Sequence, residues 1–126
     1  MKEAQFAELS VIGMRGCEAF AQQVDNYLKD WRRHTSEDTY LVEALCPRFG
    51  TGEGKGLIHH SMRGQDVYII CDMFNYGVTY RMYGQTVPMS PDDHFADLKR
   101  IIAAIAGKAR RITVIMPMLY EGRQHK

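Results

Sequence analysis

The stretch "VYIICDM", Val67 to Met73, constrains the fold more than any other part of the chain. From Val67 to Cys71 it is an unbroken apolar run without the polar alternation of a strand that has one wet face. Such a run suits a strand covered on both faces, the situation of a parallel sheet with helices above and below it. The rest of the chain then has to supply neighbouring strands and covering helices.

It supplies both. "LSVIGM" (Leu9 to Met14) is a short apolar run closed by Gly13 and Gly16, and "RITVIMP" (Arg111 to Pro117) reads as another buried strand. Between Cys17 and Trp31 the residues Phe20, Val24, Tyr27, Leu28 and Trp31 recur at threes and fours and share one helical face. A second helix starts at Ser90, a capping residue followed by Pro91, Asp92 and Asp93, and stops at Gly107. Phe95, Leu98, Ile101, Ile102 and Ile105 line one side of it.

"YLVEALCPRF" and "LIHHSM" have strand character and flank "GTGEGKG", so they form a hairpin with a glycine-rich tip. "RGQD" is a turn. The segment from Phe74 to Met89 reads as a long aromatic loop that covers a site, meets a neighbouring subunit or packs on itself. The pattern predicts one α/β domain over residues 1–126, three-layered, with a mainly parallel sheet and an antiparallel hairpin.

Charge and cysteine usage narrow the function classes. A formal net charge of +1 gives the chain as a whole no reason to seek nucleic acid or a membrane surface. No apolar run reaches about 18 residues, the length a spanning helix requires. Three cysteines, Cys17, Cys46 and Cys71, with no C-x-x-C spacing, point to reduced thiols and a cytoplasmic setting.

Candidate chemistry is sparse. "FGTGEGKG" resembles a phosphate loop only superficially, because Gly56 and strand residues follow Lys55 where a P-loop places Ser or Thr and a helix. His59 and His60, adjacent on a strand, would point to opposite faces and cannot chelate one ion together. Asp92 and Asp93 are explained by the helix dipole, and the eight methionines by core filling. The most suggestive feature is "YEGRQHK" at the carboxyl end of a strand, where open α/β sheets collect ligands. The bases from Lys99 onward, with Glu121 as the only acid, read either as a solvated face or as an anion site there.

Three segments in one order resemble the N-terminal half of the ribose-phosphate pyrophosphokinases. "RFGTGEGKGLIHHSMRGQDVYII" is similar to that family's Arg-Phe-Ser-Asp-Gly-Glu hairpin with its Arg-Gly-x-Asp-Val turn and strand. "DDHFADLKRIIAAIAGKARRITVIMP" is similar to its Asp-Asn-Leu-Met-Glu-Leu helix and proline-ended strand, and "YEGRQHK" to its Tyr-Ala-Arg-Gln-Asp loop. The resemblance implies a type I phosphoribosyltransferase-like fold, and transfer of diphosphate from ATP, carried with Mg2+, to ribose 5-phosphate. It also implies a homo-oligomer.

By position, the resemblance puts Phe49, Thr51 and Glu53 on the hairpin that holds adenine, usually for a neighbouring subunit, and Arg123, Gln124 and His125 on the loop that meets ATP within its own subunit. Phe49 offers a flat face to a purine, Glu53 an acceptor for its amino group, and Arg123 a fork for phosphate oxygens. Thr51 and His125 depart from the family pattern. The family's metal-binding histidines, catalytic loop and ribose-phosphate loop come later in its chain, so the expectation is an N-terminal domain that holds no catalytic residue or metal ligand and is inactive alone. A non-catalytic regulatory or assembly subunit of the same fold is the alternative.

Overall fold

The computed structural model describes residues 6–32 and 38–124. The parallel core is as expected. β1 (Leu9–Gly13), β4 (Asp66–Ile70) and β7 (Arg111–Ile115) form a sheet in the order β1-β4-β7, with Ile12 opposite Ile69 and Ile69 opposite Val114. β4 is central, which explains its unbroken apolar run. An isolated parallel bridge from Val11 to Leu41 extends the sheet beyond β1.

Side chains alternate across the strands and sort into two cores. On one face Ile12, Val67 and Ile69 pack with Leu98, Ile101 and Ile105 of α2 (Pro91–Ile105). On the other, Val11 and Ile70 pack with Cys17 and with Ala21 of α1 (Glu18–Trp31). The three layers are therefore helix, sheet and helix. The N-terminus of α2 follows its sequence signals: Ser90 accepts from the Asp93 amide, and the Asp93 carboxylate accepts from the Ser90 amide, a complete capping box.

Several expectations change. α1 turns Ala21 and Asp25 inward and leaves Phe20, Tyr27 and Trp31 exposed. Two features set this rotation. A Cβ built on Gly13 would lie 2.6 Å from Cβ of Ala21, so helix and strand approach where both residues are small. Buried Asp25 accepts from the Tyr40 amide and the Thr39 hydroxyl, both at 2.7 Å, tying the returning chain to the helix.

β7 is an edge strand and not a buried one, with Ile115 41% exposed. The hairpin strands are short, β2 (Ala44–Leu45) and β3 (Leu57–Ile58), so His59 and His60 lie past the strand, both exposed. The Phe74 to Met89 segment contains a second antiparallel hairpin, β5 (Thr79–Met82) and β6 (Gln85–Pro88). Its two-residue turn, Tyr83 and Gly84, has positive φ at both positions (49° and 77°), as a tight hairpin turn requires.

Candidate functional site

The glycine-rich tip between β2 and β3 is built by packing. Phe49 donates its amide to the Glu53 carbonyl at 2.8 Å, and Gly52 donates to the Phe49 carbonyl at 2.8 Å, with Gly52 at φ +91°. A side chain on Gly54 would overlap the Arg48 and Arg100 guanidinium groups, and one on Gly56 would meet the Arg100 backbone at 2.8 Å. These two glycines let the hairpin lie close against α2. Their role is close approach, and no phosphate cradle is needed to explain them.

Beneath the tip, Asp97 Oδ1 accepts from Arg48 and Arg100, each at 2.7 Å, with the Arg48 and Asp97 side chains almost wholly buried. The Arg48 guanidinium also lies 5.1 Å from the centre of the Tyr80 ring. The second hairpin closes on the first through the Tyr83 amide and the Gly50 carbonyl, 2.8 Å apart. What the tip presents outward is Phe49, 58% exposed, beside exposed Thr51 and Glu53. The Thr51 hydroxyl donates to the Glu53 carboxylate at 3.2 Å, which steers that carboxylate.

The second set of predicted residues follows β7. Tyr120 stacks on Phe95 of α2 with ring centres 4.6 Å apart, and its hydroxyl donates to the Asp92 carboxylate. That hydrogen bond, followed by burial and the nearby charges of Asp92 and Glu121, pushes the Tyr120 phenol up to about 12. Lys99 lies over the other part of the same cluster, 5.1 Å from the Phe95 ring centre. Past Tyr120, Glu121 takes a left-handed conformation, φ 60°, and Arg123 and Gln124 are exposed. His125 lies outside the described residues.

The two sets meet α2 on different sides. Phe95 faces Tyr120, whereas Asp97 and Arg100 hold the hairpin. At about 100° per residue these positions are roughly 140° to 160° apart around the helix axis. The segments that carry Phe49 and Arg123 are thus anchored, through Arg48 and Tyr120, on opposite flanks of α2. The terminal bases also divide: Arg111 forks onto Asp66 at 3.0 and 2.7 Å, at the amino end of β7, away from Arg123. A single anion site gathering all of them is not what the structure builds.

A feature the sequence did not disclose is an open cavity of about 990 Å3 between the end of β1 and the two hairpins. Arg15, Arg48, His60, Tyr80 and Arg81 are among its walls. Arg15 donates to the Thr79 carbonyl at 2.6 Å, so it braces the second hairpin. The only signal in the sequence was an arginine between glycines, "GMRG", directly after a strand. Among the described residues no group of three His, Cys, Asp or Glu side chains could hold a metal ion, and buried His94 is engaged by the Asn75 carbonyl at 2.7 Å.

Comparison with known proteins decides the family. The profile described as the N-terminal domain of ribose phosphate pyrophosphokinase matches residues 9–126. The chain belongs to that family. Among solved structures, phosphoribosylpyrophosphate synthetase from Mycobacterium smegmatis is similar, with a TM-score of 0.64 and 22% sequence identity. The match covers 94% of this chain and 33% of that one, so the chain spans about a third of the length of this structural relative. No curated protein matches. Among the described residues no helix is long and apolar enough to cross a membrane.

Proposed function

We propose that this domain supplies the nucleotide-holding part of a cytoplasmic enzyme of nucleotide biosynthesis that transfers diphosphate from ATP to ribose 5-phosphate, forming phosphoribosyl pyrophosphate. The observation that carries the reading is the anchoring of the Phe49 and Arg123 segments, through Arg48 and Tyr120, on opposite flanks of α2. Two walls that face apart in one chain converge when two chains associate. Phe49 and Glu53 of one copy then hold adenine, while Arg123 and Gln124 of the other, with His125 beyond them, bind the phosphates. The active form is accordingly a homo-oligomer.

The chemistry asked of this domain is positioning and charge neutralisation. The hydroxyl of ribose 5-phosphate attacks the β-phosphorus, so the adenine end must be fixed and the phosphates aligned with the incoming oxygen. An exposed phenyl face and a steered carboxylate do the first; an exposed guanidinium does the second. Mg2+ arrives on the nucleotide, held by its phosphate oxygens. The ribose-phosphate contacts and the catalytic loop come from further chain, and this domain alone is inactive.

Calorimetry of ATP with magnesium tests the shared site. Phe49→Ala and Arg123→Ala each weaken binding when made alone. Mixing the two variants regenerates one intact site in each mixed dimer, because the unaltered hairpin of one chain meets the unaltered loop of the other, and about a quarter of all sites recover. Recovery of none would place the site within one chain. A wild-type domain that binds no ATP in any oligomeric state would favour the alternative, a regulatory or assembly subunit, for which Thr51 and His125, the two departures from the family pattern, are the pertinent features.

A further inference from the structure

The second hairpin turns at a residue that such turns disfavour. Tyr83 holds φ 49° and Gly84 φ 77°, the two left-handed positions of a tight hairpin turn. Gly84 suits its place, whereas a bulky residue at positive φ is strained, and Asn, Asp or Gly normally take the first position. Strain held at one residue points to a use for its side chain. That use is not packing within the domain, because Tyr83 is 77% exposed, the most exposed large hydrophobic residue among those described.

Tyr83 stands beside the tip that carries Phe49. Its amide donates to the Gly50 carbonyl at 2.8 Å, one residue from Phe49. Met82 and Tyr80 close the gap behind this link: a Cβ built on Gly52 would lie 2.7 Å from Sδ of Met82 and 3.8 Å from the Tyr80 ring. The two tips are therefore one unit, and that unit is fixed to α2 through Arg48 and Asp97. A Cβ built on Gly50 would meet nothing within 4 Å, so the space over the link between the two exposed aromatic residues is open.

We infer that Tyr83 is a base-contacting residue, the second aromatic face of the site that Phe49 begins, and that it favours purine over pyrimidine nucleotides. This role rests on the nucleotide reading of the hairpin and adds a specificity determinant to it. Stacking grows with the ring area covered, and the two fused rings of a purine can span a pair of aromatic side chains where the single ring of a pyrimidine covers one. The clasp at Gly50 holds the Tyr83 backbone in advance, so little freedom is lost when a base arrives. The phenol hydroxyl keeps the ring compatible with water while the site is empty.

Calorimetry with ATP and with UTP, each with magnesium, reads the effect in the wild type, Phe49→Ala, Tyr83→Asn and Tyr83→Phe, with thermal denaturation beside it. The wild type binds ATP more tightly than UTP. Tyr83→Asn weakens ATP about 5- to 100-fold, the range for removing one aromatic face from a base, and weakens UTP much less. It also raises the melting temperature, because Asn takes the left-handed position more readily. Affinity that falls while stability rises is not what loss of a merely structural residue produces. Tyr83→Phe keeps the ring and with it most of the preference for ATP.

Phe49→Ala separates this role from the reading beneath it. If Phe49→Ala weakens ATP and Tyr83→Asn does not, the nucleotide site stands and Tyr83 has no part in it. If the wild type binds no ATP, the site itself falls and the role of Tyr83 with it. Equal losses for ATP and UTP, or a lower melting temperature for Tyr83→Asn, also overturn the inference, since Tyr83 would then shape the hairpin and not meet the base.

Discussion

The glycine-rich hairpin and the loop after β7 both offer side chains suited to a nucleotide, and they are held in opposite ways. The hairpin is locked to α2 by Arg48, Asp97 and Arg100 and by backbone approach at Gly54 and Gly56, and it is clasped by the second hairpin at Gly50. The loop beyond Tyr120 is fastened to the body by one stacked ring and one hydroxyl. A site assembled from the two therefore has a rigid wall and an adjustable one. The segment that carries Phe49 is thus held by buried charge, and the segment that carries Arg123 follows a single anchoring side chain, Tyr120.

Asp97→Ala should break the rigid wall with the largest effect. It leaves Arg48 buried without its counter-charge, a loss of about 3–5 kcal/mol for a buried pair broken on one side. Urea denaturation reads the change directly. A loss below about 1 kcal/mol would mean that the hairpin is not held by this cluster.

Gly56→Ala sharpens the comparison at intermediate size. Its Cβ would press on the Arg100 backbone at 2.8 Å, a contact no rotamer relieves, and overpacking of this kind costs about 1–3 kcal/mol. Gly50→Ala, on the same hairpin, meets nothing within 4 Å and should stay within about 0.5 kcal/mol of wild type. Equal effects at the two positions would show that chain flexibility, and not close packing, explains the glycines.

Much of this was legible in the sequence where local signals and burial agree. The run at Val67 to Cys71 required two covered faces and has them; Ser90, Pro91 and Asp93 announced the start of α2 and cap it. What escaped depends on partners distant in the chain. Periodicity put Phe20, Tyr27 and Trp31 on one face, but the Gly13 to Ala21 approach and the Asp25 anchor turned that face outward. The second hairpin was hidden because Tyr83, not Asn or Gly, takes the first left-handed turn position. Phe49 and Arg123 were candidates through the family resemblance, yet nothing local could say that their segments anchor on different flanks of α2. That relation emerges only when Asp97 and Phe95 are seen to serve different neighbours.

The smallest expected effect tests the adjustable wall. The Tyr120 phenol is pushed up to about 12, chiefly because its hydroxyl donates to the Asp92 carboxylate, and a phenolate could not. The folded state thus favours the protonated phenol, and the raised pKa stabilises the loop fully below the ordinary phenol value of about 10. That contribution fades as pH rises from there through about 12. Tyr120 should therefore contribute a late component near pH 12 to a phenolate absorbance titration, and Tyr120→Phe should remove it. At neutral pH that variant should keep the Phe95 stack and lose only a little stability, much less than Asp97→Ala, with the difference vanishing at high pH. Asp92→Ala should instead keep the component and return it toward about 10. If the late component is absent from the wild-type protein, the hydroxyl is not bound to α2, and the Phe95 stack alone would hold Arg123 near the body of the domain.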